Sequence, residues 1–158
     1  MAARTSSERI ECRNVAVCTC LGLRRVARMA TQIFDAHLAP AGLTIGQFGI
    51  LTQIYANSRT GPPTTMKALS SAIGMDPTTL NRTLKPLEAE KLICTAPDAR
   101  DRRARCIHIT AFGQKRLARA MPLWRAADAE LRKTIGAETM PALSGLLGLA
   151  TERLRKSE

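Results

Sequence analysis

Residues 65–90 read TMKALSSAIGMDPTTLNRTLKPLEAE and contain one helix stop between two helix starts. Thr64 or Thr65 can cap a short helix over Met66–Ile73, because a threonine hydroxyl accepts hydrogen bonds from the unpaired amides of the first turn. Gly74 ends this helix, since glycine adopts the left-handed conformation of a helix end at no steric cost. The stretch therefore predicts a short helix followed at once by a tight turn.

A second helix begins at Asp76 and Pro77. An aspartate at the N-cap accepts otherwise unpaired amide protons, and a proline at the first helical position loses no needed donor. Leu80, Leu84 and Leu87 recur at helical spacing and predict its buried stripe. Two helices separated by about three residues, with a glycine in the turn, match the helix-turn-helix, whose second helix lies in the major groove of DNA.

Polar residues occupy the other side of this second helix and are the candidates for contact with DNA. They are Thr78, Thr79, Asn81, Arg82 and Lys85. Arginine can bond bidentately to guanine, asparagine can bond to adenine, and threonine suits phosphates or thymine methyl groups. The alternative interpretation is an ordinary solvated helix face, which an isolated helix of this pattern would favour.

Two short stretches rich in β-branched and apolar residues follow, at Leu92–Ala96 and Cys106–Ile109. Pro97 and the charged tip DARDRR, residues 98–103, separate them, which predicts a β-hairpin. Four arginines stand on or beside this tip: Arg100, Arg102, Arg103 and Arg105. A guanidinium on such a tip can enter the negative potential of a narrow minor groove. A charged turn without a fixed partner is the alternative.

Longer helices are predicted before the helix-turn-helix. Residues 1–11 show no usable period and are interpreted as a flexible arm, whereas apolar residues recur at three- and four-residue steps over residues 12–38. Thr44 and Gln47 then have the spacing of a capping box, which predicts the start of a second helix. Residues 57–63 are predicted to form a turn.

Two further helices are predicted after the hairpin. Thr110 can cap the first of them, with Leu117, Met121 and Trp124 facing inward. The last helix follows Gly136, and its apolar positions alternate steps of three and four residues, as in helices that pack against other helices. The expected fold is mainly α with a small β-wing, in which long terminal helices flank a winged helix-turn-helix core.

Composition limits the class of partner. The 158 residues are 45% hydrophobic and 23% charged, which is typical of one compact domain. Lys and Arg total 24 against 13 Asp and Glu, a formal charge of +11 that favours a polyanionic partner. Phe, Tyr and Trp together number only five, which argues against modules that stack unpaired bases on aromatic side chains. Double-stranded DNA is therefore the expected partner.

The five cysteines do not predict a disulfide scaffold, because their number is odd and the chain is long enough to build its own core. Cys18 and Cys20, two positions apart on a helix, would point in different directions, so no metal site and no cofactor are expected. Cys94 and Cys106 are expected to pack in the hairpin strands. Uncharged runs are too short to span a bilayer, and a cytoplasmic protein without a membrane partner is expected.

The order of these elements resembles the MarR family of winged helix-turn-helix regulators. The segment LTIGQF at residues 43–48 resembles the entry to the family's second helix. The tip DARDRR, followed by IHITAFG at residues 107–113, resembles its wing signature and the Thr-x-x-Gly that begins the next helix. The resemblance covers roughly residues 12–155.

The resemblance implies a homodimer whose terminal helices interlock. It implies one domain over residues 12–158, with dimerisation helices in 12–43 and 111–158 and a DNA-binding lobe in 44–110. Two recognition helices would enter successive major grooves of a pseudo-palindromic operator, and two wings would enter flanking minor grooves. Arg103 would be the inserted residue, Asp101 would orient it by a bidentate pair, and Arg100 and Arg102 would bind phosphates.

Two residues depart from the family's pattern. Lys91 stands where such proteins often have glycine after the recognition helix, so the left-handed helix end is not expected there. Pro86 lies inside the recognition helix, where it removes an amide donor. A bend or a loosened last turn is therefore expected near this proline.

The expected function is a homodimeric transcriptional regulator that is not an enzyme and acts as a repressor released by a small aromatic or acyl-type effector. His37, Phe48 and Tyr55 would line an effector cleft or simply fill the core. Cys12 carries an alternative in which oxidation is the signal, because a helix N-terminus and neighbouring arginines stabilise a thiolate. A thiol-dependent enzyme and an interaction module that does not bind DNA are the remaining alternatives.

Overall fold

The computed structural model describes residues 18–60, 64–97 and 105–156. Their elements, in chain order, are α1 (Thr19–Leu38), α2 (Ile45–Thr60), α3 (Met66–Ile73), α4 (Pro77–Ala89), β1 (Ile93–Pro97), β2 (Arg105–Ile109), α5 (Ala111–Ile135) and α6 (Thr139–Arg155). A short 3-10 turn, Ala39–Ala41, joins α1 to α2. The mainly α winged helix-turn-helix fold is thus confirmed, with α3 and α4 as the helix-turn-helix and the antiparallel pair β1–β2, called the wing from here on.

One apolar core joins the helix-turn-helix to the wing and to the long helices. Leu51 and Ile54 of α2 are completely buried in it, together with Leu69 of α3 and Leu80 of α4. Burying a leucine or isoleucine side chain of this size stabilises the fold by about 1.5–3 kcal/mol. Helix α4 is therefore held by its apolar stripe, which leaves its polar side exposed.

The predicted helix starts are confirmed by their hydrogen bonds. The Thr65 hydroxyl accepts from the Ala68 amide at 3.2 Å, which identifies Thr65 as the cap of α3. Thr44 and Gln47 form the reciprocal pair of a capping box, with distances of 3.0 and 3.3 Å. Asp35 of α1 adds a bond that the sequence did not predict, since its Oδ1 accepts from the Ile45 amide at 2.6 Å.

Several predicted boundaries were wrong. Helix α2 continues to Thr60, so the first four residues of the predicted turn at residues 57–63 are helical. The side-chain hydrogen bond from Gln53 to Asn57, one helical turn apart, supports this extension. Helix α1 begins at Thr19, later than the predicted residue 12, and Cys18 before it is extended. The arm at residues 1–11 and Cys12 lie outside the described residues.

The end of α4 also corrects the prediction. Lys91 adopts a φ of 58°, so the left-handed conformation is present without a glycine. The Leu92 amide donates to the Leu87 carbonyl and the Lys91 amide to the Glu88 carbonyl, both at 2.9 Å. These two bonds form a Schellman motif, and burial of both leucines holds it closed. Helix α4 itself continues through Pro86 to Ala89.

Apolar side chains remain exposed on the two terminal helices. On α1 they are Leu21, Leu23, Val26 and Met29, and on α6 they are Leu146, Leu147, Leu149 and Leu154. Met29 is 60% exposed and Leu154 is 68% exposed. Within the described parts of the chain, no helix combines the length and apolar character that a bilayer span needs.

Candidate nucleic-acid interface

Helix α4 presents a polar face opposite its buried leucines. Leu80, Leu84 and Leu87 are buried, as predicted. The exposed side carries Thr78, Asn81, Arg82 and Lys85, and Thr79 is half-buried beside them. The side chains on this face combine amide, hydroxyl and positively charged donors, which is the chemistry that base edges and phosphates accept.

Asp76 fixes the start of this face. Its Oδ1 accepts from the amides of Thr78 and Thr79, both at 3.0 Å. Hydrogen bonds from the Thr79 side chain and then from the Thr79 backbone amide lower the pKa of Asp76 below its ordinary value, and a smaller effect of burial opposes them. The carboxylate therefore stays ionised, and it pairs amides that the first turn would otherwise leave without partners.

The wing lies beside α4 and shares its core. Strands β1 and β2 pair antiparallel with Ile93 opposite Ile109 and Pro97 opposite Arg105. Strand β1 begins and ends one residue later than predicted, and β2 begins one residue earlier and ends where predicted. Arg105 is exposed at the tip end of β2. The other candidates on the tip, Arg100, Asp101, Arg102 and Arg103, lie outside the described residues.

A short segment before α3 pairs with β2 of the wing. The Ile107 amide donates to the Thr64 carbonyl at 2.8 Å, and Thr65 forms an isolated antiparallel bridge with Cys106. Strand β2 therefore lies between β1 and the segment that leads into α3. This pairing ties the position of the wing to the start of the helix-turn-helix.

Arg116 links α5 to the far end of α4, a contact that the sequence did not predict. Its Nη1 donates to the Ala41 carbonyl at 3.0 Å and lies 3.4 Å from Glu90 Oε2. Its guanidinium also lies 5.4 Å from the centre of the Phe112 ring. No local pattern marks this residue, because both oxygen partners are distant in sequence.

A groove of about 680 Å³ lies between α2 and α5. Tyr55 and Thr52 line one wall, and the opposite wall includes Gln114, Lys115 and Met121. The groove combines an apolar surface with a few polar groups, and such surfaces accommodate small amphipathic molecules. Tyr55 is thus the effector candidate that the structure brings to a concave surface.

The other effector candidates have different surroundings. Phe48 is buried, and its ring stacks on Trp124 with centroids 6.1 Å apart. His37 of α1 pairs with Glu130 of α5, with 2.7 Å between Nε2 and Oε2. Phe48 and Trp124 thus stabilise the packing of α2 on α5, and His37 joins α1 to α5. Cys12, the fourth candidate, lies outside the described residues.

The described cysteines differ in exposure. Cys106 is buried in β2, as predicted, whereas Cys94 is exposed on β1 because it faces the solvent side of the two-stranded sheet. Cys20 is exposed and Cys18 is half-buried. In residues 18–60, 64–97 and 105–156, no three His, Cys, Asp or Glu side chains come close enough together to hold a metal ion.

Comparison with known proteins finds a family model and several solved structures that are similar to this chain. The model of the MarR family matches residues 41–104. The transcriptional regulator MosR of M. tuberculosis, solved in complex with DNA, is 35% identical, with a TM-score of 0.71 over 87% of this chain and 98% of that one. The repressor CouR, bound to a 23-mer DNA duplex, is 23% identical, with a TM-score of 0.76 over 90% and 99% of the two chains. A mutant of MarR from E. coli, complexed with operator DNA, is 21% identical, with a TM-score of 0.76 over 87% and 96%.

Proposed function

The chain belongs to the MarR family of transcriptional regulators, and from this premise we propose that it is a homodimer that binds a pseudo-palindromic operator and represses transcription. The observation that carries this proposal is the exposed polar face of α4, which Asp76 caps and which buried leucines hold next to the wing. Half-sites about 10 bp apart would place the two recognition helices in successive major grooves.

The proposed DNA contacts lie in the major groove and in the minor groove. Asn81, Arg82 and Lys85 of α4, with the threonines before them, would contact the major groove. Arg103 of the tip would enter the minor groove, oriented by Asp101. The remaining tip arginines, Arg100, Arg102 and Arg105, would bind phosphates, which fix the register of the protein on the duplex.

The exposed apolar side chains of α1 and α6 support the homodimer. Each of these helices exposes four large apolar side chains, and clustered exposed apolar side chains mark interaction surfaces. We therefore assign residues 12–43 and 111–158 to dimerisation and residues 44–110 to DNA binding, within a single domain. The coupling of the two lobes through α5 would let a change at the dimer interface alter the distance between the recognition helices.

A small molecule in the groove between α2 and α5 would change the distance between the two recognition helices. The lining favours a ligand with an aromatic or acyl body and a polar group near Lys115 or Tyr55. In one state of the dimer the recognition helices would be spaced so that they cannot span two successive major grooves. A ligand that binds this state about 3 kcal/mol more tightly than the DNA-binding state would weaken DNA binding roughly 150-fold. Such a ligand also raises the melting temperature of the protein, so a thermal-shift screen of phenolic acids and acyl-thioesters would identify it.

The test of the proposed function is selection of duplexes from a randomised library, followed by titration at several salt concentrations. A protein with six to ten phosphate contacts loses about 10³- to 10⁵-fold in affinity between roughly 50 and 200 mM salt. We expect a steep dependence of this kind and one enriched palindrome. No enrichment, or an affinity that does not change with salt, would reject the proposal.

The other candidate functions have less support. Oxidant sensing through Cys12 remains a variant of the same regulator, in which peroxide replaces the ligand; a Cys12→Ser variant that is still released by peroxide would reject it. A thiol-dependent enzyme is not proposed, because the similar proteins are transcriptional regulators.

A further inference from the structure

Thr64 is a polar residue buried in the apolar core, with only 4% of its surface exposed. A buried hydroxyl destabilises the fold unless it is hydrogen-bonded. Its Oγ1 accepts from Asn57 Nδ2 at 3.2 Å, and Asn57 Oδ1 accepts from Gln53 Nε2 at 3.1 Å. Gln53 and Asn57 are half-buried residues one turn apart on α2. The three side chains therefore form a ladder that runs from α2 to Thr64.

Thr64 is attached to the wing through its backbone. Its carbonyl oxygen accepts from the Ile107 amide of β2 at 2.8 Å, and the following residue, Thr65, forms the bridge to Cys106. One residue thus joins α2 by its side chain and β2 by its main chain. A shift of Thr64 along α2 would move β2, and with it the exposed Arg105 two residues before Ile107.

A side-chain hydrogen bond also joins the wing to α4. Thr95 of β1 donates to Glu88 of α4 at 3.0 Å, but this bond is exposed to solvent. The bonds among Gln53, Asn57 and Thr64 are partly buried, so they exchange with solvent less readily than the exposed bond of Thr95. Apolar contacts of the core also stabilise the wing, but the hydrophobic effect behind them is non-directional. The ladder adds side-chain hydrogen bonds, which depend on direction.

We propose that Asn57 and Thr64 are positioning residues for DNA binding, which set the placement of the wing relative to α4. The proposal rests on the proposed function, since it presupposes that the wing enters the minor groove. Helix α4 is fixed against α2 by buried leucines, and β2 is fixed against α2 by the ladder. Helix α2 is therefore the common reference from which the separation of the major-groove and minor-groove contacts is set.

The test compares two footprints on a duplex that the wild-type protein has selected from a randomised library. Protection from hydroxyl radicals reports the minor groove in the flanks, and protection of guanine N7 from dimethyl sulfate reports the major groove. Thr64→Val removes the hydroxyl and keeps the shape, and Thr64→Ser keeps the hydroxyl. Ser58→Ala is the matched control, because its exposed hydroxyl bonds only to the Tyr55 carbonyl among the bonds described.

We expect Thr64→Val and Asn57→Ala to lose flanking protection by roughly two- to tenfold, the equivalent of one hydrogen bond, while guanine protection at saturating protein stays as in the wild type. Thr64→Ser and Ser58→Ala should keep both footprints. Equal loss of both footprints, or loss of neither in folded variants, would overturn the positioning role. If Thr64→Val fails to fold, Gln53→Ala weakens the ladder from its outer end, and the same two footprints give the answer. A wild-type protein that selects no duplex would instead reject the proposed function, and this proposal with it.

Discussion

Gly113 lies so close to Leu92 that no side chain fits between them. A Cβ atom at Gly113 would stand 2.0 Å from the Leu92 carbonyl oxygen and 2.9 Å from Cγ1 of Ile109. The same carbonyl accepts from the Thr110 amide at 3.0 Å, and the Thr110 hydroxyl accepts from the Gly113 amide at 2.9 Å. The Thr-x-x-Gly sequence is therefore the joint at which α5 meets the base of the wing.

Replacement of Gly113 by alanine should destabilise the protein by about 3 kcal/mol or more, because overpacking alone costs about 1–3 kcal/mol and here the clash is with backbone. The control is Gly49→Ala on the exposed side of α2, where a Cβ meets nothing within 4 Å. That variant should gain about 0.5–1 kcal/mol from helix propensity. Urea unfolding measures both, and equal stabilities of the two variants would contradict the close approach.

Lys91→Gly should stabilise the protein by about 1 kcal/mol. Lys91 has a φ of 58°, a conformation that costs an L-residue about 1–2 kcal/mol and glycine very little. Greater entropy of glycine in the unfolded chain offsets part of the gain. Lys91→Ala is the control, since it removes the charge and keeps the strain, and it should show no gain in urea unfolding. A gain of the same size in the alanine variant would assign the effect to charge.

Features set by neighbours in sequence were predictable, and features set by distant contacts were not. The caps Asp76 and Thr110 depend on amides two or three residues away, so their positions followed from the sequence alone. For α3 the sequence left Thr64 and Thr65 as alternatives, and the bond from the Ala68 amide identifies Thr65. The conformation of Lys91 depends instead on the burial of Leu92 with Leu87, which no local pattern reveals. A local preference for glycine is thus overridden by the core.

In the candidate site, too, local features were predictable and long-range contacts were not. The polar face of α4 was predictable, because three buried leucines fix the side of the helix that remains exposed. The contacts of Arg116 were not, since they join residues 26 and 75 positions apart. Tyr55 and Phe48 both lie on α2, yet only packing against α5 places one beside the groove and stacks the other on Trp124.

Because Asp76 ionises, the stability of the protein should depend on pH in the acidic range. Its pKa is lowered in the folded state, so its contribution is fully present above the unfolded value of about 3.8 and is lost as the pH falls through the lower folded value. Asp76→Asn keeps a capping group that does not titrate. The difference in melting temperature between wild type and variant should therefore shrink as the pH falls from about 5 towards 2. A difference that stays constant over this range would contradict the lowered pKa.

A charge in the exposed apolar surface of α6 should separate the proposed dimer. Leu147→Glu places a carboxylate where the model of a homodimer requires apolar contact, and burying an unpaired charge costs several kcal/mol. Sedimentation should show a dimer for wild type and a monomer for the variant at micromolar concentration. Ser58→Glu, an equal charge change at an exposed position of α2, should leave the dimer intact. A dimer that persists in Leu147→Glu would place the interface elsewhere.

Arg82→Ala should distinguish a base contact from general attraction to DNA. The chain carries a formal charge of +11, so loss of any arginine weakens binding slightly through the long-range field. Arg119, exposed on α5, is the matched control because its removal changes the charge equally and leaves α4 intact.

If Arg82 contacts a base edge, Arg82→Ala should lose about 1–3 kcal/mol of binding to the selected duplex and also tolerate substitution of one base pair that the wild type rejects. Arg119→Ala should lose little and keep the preference. Affinity titrations against the selected duplex and its single-base variants measure both effects. Equal losses in the two variants, with the base preference unchanged, would mean that α4 is attracted to the phosphates and does not read the sequence.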